Sequence, residues 1–449
     1  MLETGAGFSR GAVTLKKIYQ ASGAVALLHS SPGQKGTDMG SSLAVNGGPK
    51  TRTVPFPSWP VWDGNDEAAL LAVLRSGKWG VLGGQDSRVR EFGQAFAAYQ
   101  GAKYGVPVVN GTVALRVALL AAKLAEGDEV IVPPYTFQAT ATAVVENNCV
   151  PVFVDVHPDS YNLDPALIEA AITMRTRAII PVHFAGQAAD MDRIMTIARR
   201  RNLIVIEDAA HAHGAEYKGR RLGSIGQMGC FSFQSSKNLT SGEGGIVITS
   251  DDRLLTLIHA IHNCGRMPDS EWYDHRILGM NYRLTEFQAA LLLCGLKRLD
   301  EQTARRDANG RYLNAKLSQI PGIRPMPRGQ GETRHSYHLY MFRYDAAAFG
   351  GVPRKRFLEA LAAEGVPCSP GYDIPLYRQP FFLQKAFGPY HASKRPNLDY
   401  AAVQCPVCEK ACSEEAVWLF QSMLLGDAND VDDIVRAISK VYDHREELR

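Results

Sequence analysis

Cys230-Phe231-Ser232-Phe233-Gln234-Ser235-Ser236-Lys237-Asn238-Leu239-Thr240-Ser241-Gly242-Glu243-Gly244-Gly245 leads directly into Ile246-Val247-Ile248. An apolar run ends in hydroxyls and one lysine, a glycine cluster turns the chain, and a second apolar run begins. Two strands joined in this way deliver Lys237 from a strand end into a pocket. A lysine amine attacks carbonyl groups and forms imines when burial lowers its pKa or when a carbonyl compound is held against it. The other reading of the same residues is a surface lysine in a hairpin loop, and the rest of the chain decides between the two.

Outward from this stretch, short apolar runs alternate with helical patterns, the signature of a parallel sheet with helices on its faces. The apolar runs lie at residues 106–109, 129–132, 151–155, 178–182, 203–207, 229–233 and 245–249, with helical periodicity at 113–124, 165–172 and 191–201 between them. Ligands of such sheets collect at the carboxyl ends of the strands. Thr285-Glu286-Phe287-Gln288 has the form of a capping box and opens a long helical pattern through Leu299 toward Leu317. Prolines between Ile320 and Pro327 break that pattern, and segments 337–344 and 357–363 predict a smaller layer beyond it. The expected architecture is α/β. Residues 41–295 form a large domain with an N-terminal arm and a mostly parallel seven-stranded sheet flanked by helices, and residues 296–449 a smaller C-terminal α+β domain.

Four strand ends carry the chemistry. Val108-Val109-Asn110-Gly111-Thr112 is strand, glycine turn and helix start, where free N–H groups make an anion site or, on the plainer reading, Thr112 caps an ordinary turn. Pro133-Pro134-Tyr135-Thr136-Phe137 sets two aromatics past a strand, and either Phe137 or Tyr135 can stack on a flat ring or fill the core. Leu203-Ile204-Val205-Ile206-Glu207-Asp208 ends in carboxylates behind a buried run. An aspartate at that depth must be paired, either as a helix cap or with a protonated ring nitrogen, which it would keep an electron sink. His211 stands three residues further on, within reach of a cofactor oxygen or a substrate group. Ser232 ends the next strand, and Lys237 follows. An anion site, a ring stacker, a buried carboxylate and a lysine on successive strand ends together make a pocket for pyridoxal 5'-phosphate.

Composition narrows the alternatives. The chain has 449 residues, enough for two or three domains, with ordinary globular proportions of 45% hydrophobic and 21% charged residues. A net charge of +3 offers no nucleic-acid surface, and the basic run Arg199-Arg200-Arg201 ends a helical pattern where cations suit the dipole. Eight scattered cysteines predict reduced thiols in a cytoplasmic protein. Cys405, Cys408 and Cys412 lack the fourth ligand of a closed zinc site, so no metal is expected. No apolar run reaches the roughly 20 residues needed to span a bilayer. The segment from Val45 to Trp62, rich in Gly, Pro and Trp, reads as an ordered arm, and residues 66–76 as a helix closed by Gly77. Trp79 follows, flanked by glycines that include Gly83-Gly84, as a pocket lining or a core plug.

Asn110-Gly111-Thr112, Pro134-Tyr135-Thr136-Phe137, Glu207-Asp208-Ala209-Ala210-His211, Phe231-Ser232-Phe233 with Lys237, Gly242-Glu243-Gly244-Gly245 and Gly279-Met280-Asn281-Tyr282-Arg283 resemble the DegT/StrS-like family of sugar and aminocyclitol aminotransferases. The likeness runs from about Leu43 to beyond Leu424. It implies a fold type I pyridoxal phosphate enzyme, a homodimer whose active sites lie at the subunit boundary. By this resemblance Lys237 is the Schiff-base lysine and Asp208 the pyridinium partner. Gly111, Thr112 and Ser232 hold the phosphate, Phe137 stacks, and Asn281 reaches the phosphate from the neighbouring subunit. Family members that dehydrate sugars carry histidine at the lysine position, so Lys237 implies transamination.

Phe233-Gln234, Leu239-Thr240-Ser241 with the glycines after it, and Gly371-Tyr372-Asp373-Ile374-Pro375-Leu376-Tyr377 look most like the glutamine-dependent scyllo-inosose aminotransferases of aminocyclitol biosynthesis. Aminohydroxybenzoate synthases share part of this pattern. Ser235-Ser236 departs from the Ala-Thr common in nucleotide-sugar members, which weighs against that substrate class. The implied partners are a keto-cyclitol or keto-sugar and an amino-acid donor, glutamine or glutamate. Trp79, His183, Tyr337, His338 and Tyr372 lie near the motifs as candidates for substrate selection, or else as packing. Two other classes stand against this reading, a pyridoxal-binding regulatory protein without turnover and a nicotinamide enzyme. No strand is followed by the Gly-x-Gly-x-x-Gly of the latter.

The Gly/Ser-rich leader, residues 1–40, resembles no part of the family and is expected to be disordered, with the functional start nearer Met39. Deleting residues 1–38 should leave the unfolding midpoint and the activity unchanged, as thermal unfolding and an amino-transfer assay would register.

Overall fold

The apolar runs serve two cores at once. Val130 and Val132 face one core and Ile131 the other; Val205 and Ile206 divide likewise, as do Val247 and its neighbours Ile246 and Ile248. A strand covered by helices on both faces must be apolar at consecutive positions, which is why these segments show no polar alternation.

The computed structural model describes residues 42–80 and 87–449; the leader and the Gly83-Gly84 pair lie outside them. Helices α1 (Gly64–Ser76) and α2 (Arg88–Gln100) precede β1 (Tyr104–Val108), α3 (Gly111–Ala121), β2 (Glu129–Val132), α4 (Ala139–Glu146), β3 (Val150–Phe153) and α5 (Pro165–Ala171). There follow β4 (Thr176–Ile179), α6 (Met191–Arg201), β5 (Ile204–Asp208), two short strands β6 (Glu216–Tyr217) and β7 (Arg220–Arg221), β8 (Met228–Ser232), β9 (Gly245–Thr249) and α7 (Asp252–His262). Helix α8 (Glu286–Leu317) leads to β10 (Ile323–Pro325), β11 (Glu332–Arg334), β12 (Leu339–Tyr344) and α9 (Arg354–Ala363). The chain closes with α10 (Pro380–Leu383), α11 (Pro406–Lys410), β13 (Ala416–Phe420) and α12 (Ala428–Asp443).

All seven expected strands form one sheet, in the order β1-β9-β8-β5-β4-β2-β3, with β9 antiparallel to both neighbours and the rest parallel. Their ends differ from the sequence reading by up to three residues, most at β4, because Ile180 and Val182 stay buried after the ladder has stopped. Helix α8 runs for 32 residues behind its capping box: Gln288 N–H reaches Thr285 Oγ1 and Thr285 N–H reaches Gln288 Oε1 at 3.1 Å. The expected boundary between residues 295 and 296 falls inside this helix, which carries the chain from the large sheet to a small antiparallel one, β10-β12-β13. That small sheet and α9 and α12 enclose their own core around Phe342, Phe357, Val417, Ile434 and Ile438.

The N-terminal arm is tied to this second layer by charge. Arg52 lies between Asp430 and Asp433 at 2.6 and 2.7 Å, and Glu364 accepts from the Ala44 and Thr51 backbones and from Lys440. The arm thereby brings Trp59 back to the large sheet, where its indole N–H donates to Ser235 O at 3.0 Å.

Beneath the strand ends, Glu207 is a fully buried acceptor. Its Oε1 takes the N–H groups of Ile225 and Gly226 at 2.7 and 2.6 Å, and its Oε2 takes Gly223 N–H at 2.7 Å and His183 Nε2 at 2.8 Å. Glu207→Ala should therefore lower stability by about 3 to 5 kcal/mol, since it strands buried donors, as a denaturant titration would measure.

Candidate active site

Because β1, β8, β5 and β2 are parallel, the residues that leave them emerge on one edge of the sheet, where a cavity of about 890 Å³ opens. Gly111, Thr112, Phe137, Asp208, His211, Ser232, Lys237, His338 and Tyr372 all line it. The hairpin turn after β8 carries Lys237 there, and burial pulls its ammonium down to about 8 against the opposing charge of Asp208. An ordinary lysine titrates near 10.4, so Lys237 is the more readily deprotonated amine.

Asp208 ends β5 inside the cavity. Burial pushes its carboxyl up, while Thr140 Oγ1 at 2.7 Å and Ala210 N–H at 3.2 Å oppose that shift. No helix starts there, so the reading of Asp208 as a helix cap is corrected: it is a strand-end carboxylate that faces the pocket. Thr136 Oγ1 in turn lies 3.0 Å from Thr140 Oγ1, which fixes the orientation of that donor.

At the anion site the helix cap is Asn110 rather than Thr112, because Asn110 Oδ1 takes the N–H of Val113 at 2.9 Å. The first-turn N–H groups of α3 at Gly111 and Thr112 therefore face the cavity without an intrahelical acceptor. A Cβ on Gly111 would stand 2.7 Å from the Ser232 Cβ, so glycine is what lets α3 close onto the end of β8. Of the two aromatics after β2, Phe137 faces the cavity and is exposed, whereas Tyr135 is buried among Tyr161, Phe184 and Tyr372.

The two cavity histidines have opposite polarity. Burial, with Lys237 nearby, holds His211 well below the usual imidazole range, and its Nδ1 accepts Ala185 N–H at 3.2 Å, which leaves the proton on Nε2. His338 is likewise held neutral by burial. Asn238 Nδ2 donates to Ser336 O at 2.7 Å, so Asn238 Oδ1 faces His338 Nδ1 at 3.3 Å as an acceptor, and His338 Nε2 is left unprotonated. With ring centres 4.1 Å apart, one imidazole offers a donor and the other an acceptor.

Three substrate candidates do not reach the cavity. Trp79 is an exposed residue packed on Phe287, His183 is the buried partner of Glu207, and Tyr337 stacks on His335 at 3.7 Å. Tyr337 has a left-handed backbone (φ 44°) that turns its ring into the core while the next residue, His338, lines the cavity; at the end of β5, strand alternation sends Glu207, the partner of His183, into the core and Asp208 into the cavity. Asn281 also lies outside the cavity of its own chain, bridged to Asn263. Sequence reasoning missed Trp59, Thr140, Gln234 and the run Trp418, Phe420, Gln421 and Ser422, all of which line the pocket. The spacing Thr136-x-x-x-Thr140 just past the strand was a usable signal for Thr140; the wall from β13 had none, since only the meeting of the two sheets creates it.

Residues 61–439 match the DegT/DnrJ/EryC1/StrS aminotransferase family. The chain belongs to this family. It is 40% identical over 425 residues to an L-glutamine:2-deoxy-scyllo-inosose aminotransferase of Streptoalloteichus tenebrarius, covering 91% of this chain and 99% of the relative. Its likeness to the Streptomyces fradiae enzyme of the same name is also 40%, over 427 residues, 91% of this chain and 100% of that one. The crystal structure of 3-amino-5-hydroxybenzoic acid synthase aligns with a TM-score of 0.78 at 35% identity, covering 87% of this chain and 99% of that chain. This protein is accordingly an aminotransferase, with the fold of a family whose members depend on pyridoxal phosphate. Among the described residues of the aminotransferase, no helix is long and apolar enough to cross a membrane.

In the apo-protein, trapping of Lys237 by pyridoxal 5'-phosphate and cyanoborohydride should accelerate as pH rises toward about 8 and level off above it, because only the neutral amine attacks. Peptide mass spectrometry across pH measures this, and levelling near 10.4 would mark an unperturbed lysine.

Proposed function

We propose that this chain binds pyridoxal 5'-phosphate and moves the amino group of L-glutamine to the ketone of a cyclitol of the scyllo-inosose class. The observation that carries this reading is the joining, in one cavity, of an amine of lowered basicity at Lys237 with the buried carboxylate of Asp208. Relatives that span nearly the whole chain bear the name of that reaction.

The residues fit the cofactor. The N–H groups of Gly111 and Thr112 and the Ser232 hydroxyl would hold its phosphate, Phe137 would cover one face of its ring, and His211 Nε2–H would donate to its oxygen. When bound, pyridoxal phosphate supplies an aldehyde that condenses with amines and a ring that stores the electron pair of a broken C–H bond. Asp208, whose carboxylate is steadied by Thr140, would pair with the ring nitrogen and favour its protonated form. Lys237 Nζ takes the α-proton of the amino donor and later returns a proton to the carbon that receives the new amine.

Charge supports a neutral acceptor. Among the described residues that line the cavity, Lys237 is the one lysine or arginine, so no basic cluster awaits a nucleotide diphosphate. Tyr372, Trp418 and Phe420 instead present aromatic faces beside Ser369, Gln421 and Ser422, a lining suited to the C–H faces and hydroxyls of a polyol ring. His338 Nε2 adds an acceptor for a ring hydroxyl. The large domain, 41–295, would hold the cofactor, and the small one, 296–449, the far wall.

A homodimer completes the reading. The segment before Asn281 exposes Trp272, Tyr273, Leu278 and Met280, apolar surface suited to a second copy, and Asn281 would then reach the phosphate of the neighbouring subunit. The reaction belongs to a cytoplasmic biosynthetic enzyme.

Incubation with α-¹⁵N-glutamine and scyllo-inosose or 2-deoxy-scyllo-inosose should yield a ¹⁵N-amine by mass spectrometry, and Lys237→Ala should yield none. Label appearing only in a keto-sugar nucleotide or an aminoshikimate-type ring would overturn the acceptor class. Cofactor binding with no transfer to any ketone would leave the regulatory reading instead.

A further inference from the structure

Arg306, midway along α8, has no exposed surface. Its Nε and Nη2 groups donate to Gln421 Oε1 at 2.9 and 2.5 Å, its Nη1 has no partner, and the Trp59 ring lies 5.3 Å from its guanidinium carbon. Among the described residues no carboxylate pairs with it. A guanidinium taken wholly out of water ordinarily requires an anion; an amide oxygen and an aromatic face offset only part of the cost.

The geometry also settles which way the amide faces. A guanidinium has donors only, so Gln421 must turn its oxygen to Arg306, and its Nε2 is left for the cavity that Gln421 lines. That nitrogen makes no hydrogen bond within the described residues, and its N–H groups are polarised by the charge behind them. Through one rigid amide, a buried positive charge is thereby expressed at a cavity wall remote in sequence from the phosphate cradle at Gly111.

Of the two substrates in the proposed reaction, the keto-cyclitol is neutral and the amino acid carries a carboxylate. We infer that Gln421, oriented by Arg306, receives the α-carboxylate of the amino donor, an inference that rests on the reaction proposed above. Gln421 touches the substrate; Arg306 is a positioning residue, and its uncompensated charge is answered only when the donor is bound. Between the two half-reactions the carboxylate leaves as the keto acid, and the same wall then faces a neutral ring.

Gln421→Glu tests this without stranding Arg306, because the new carboxylate pairs with it while removing the N–H and repelling an anion. The KM for L-glutamine should rise about 10- to 100-fold while that for the keto-cyclitol is unchanged and the unfolding midpoint does not fall. Wild-type protein should bind L-glutamine in preference to 4-aminobutanamide, which lacks the carboxylate, and the variant should lose this preference. Arg306→Lys, unable to grip one oxygen with two donors, should show the same split more weakly. A rise in the acceptor KM alone, or no change in either, overturns the assignment. If wild-type protein carries out no amino transfer from glutamine, the proposed reaction fails instead, and the two failures are thus distinguishable.

Discussion

Two adjacent carboxylates at the end of one central strand set the conditions for everything around them. Neighbouring residues of an extended strand point to opposite faces, so Glu207 is driven into the core and Asp208 into the cavity. Neither charge can stay buried without donors. Glu207 meets this need inside the protein, with three backbone N–H groups and His183, and so pins the loop beneath β8 to the end of β5. Asp208 meets it only partly, through Thr140 and Ala210, and keeps capacity for a cationic partner. One carboxylate builds the scaffold, and the next is left chemically available.

The polar edge of the large sheet supplies the floor of the site, and the small sheet supplies its far wall. Helix α8 joins them as one rigid rod, so the distance between Lys237 on the floor and Trp418 on the wall does not depend on a flexible linker. The arm closes the arrangement from a third side: Arg52 and Glu364 fasten it to the small layer, and Trp59 spans from Ser235 to Arg306. Charge is distributed unevenly around the space so enclosed. Gly111, Thr112 and Lys237 lie at the strand ends, and the buried guanidinium of Arg306 lies behind Gln421 on the opposite wall.

The imidazoles of His211 and His338 add polar groups to the cavity without adding charge. Burial keeps both uncharged, and backbone or amide partners choose the tautomer of each, so the pair offers one donor and one acceptor instead of two cations.

Consecutive apolar positions in Val205, Ile206 and Ile246 to Ile248 marked strands covered on both faces, and with them the parallel sheet. The order of Gly111, Phe137, Asp208, Ser232 and Lys237 along the chain already pointed to one cavity for a helix start, an aromatic, a carboxylate, a hydroxyl and an amine, because a parallel sheet sends all its carboxyl ends to one edge. Local spacing could not say which of two neighbours faces inward, which is why Tyr337 and His183 were candidates and proved to be core. Nor could it find Gln421 and Arg306, more than a hundred residues apart, whose pairing is a long-range contact made only when α8 packs against the turn after β13. Motif chemistry is written in short segments that the sequence alone determines; the walls of the cavity and the fate of each buried charge depend on which distant segments exclude water together, and that was decided by the tertiary structure.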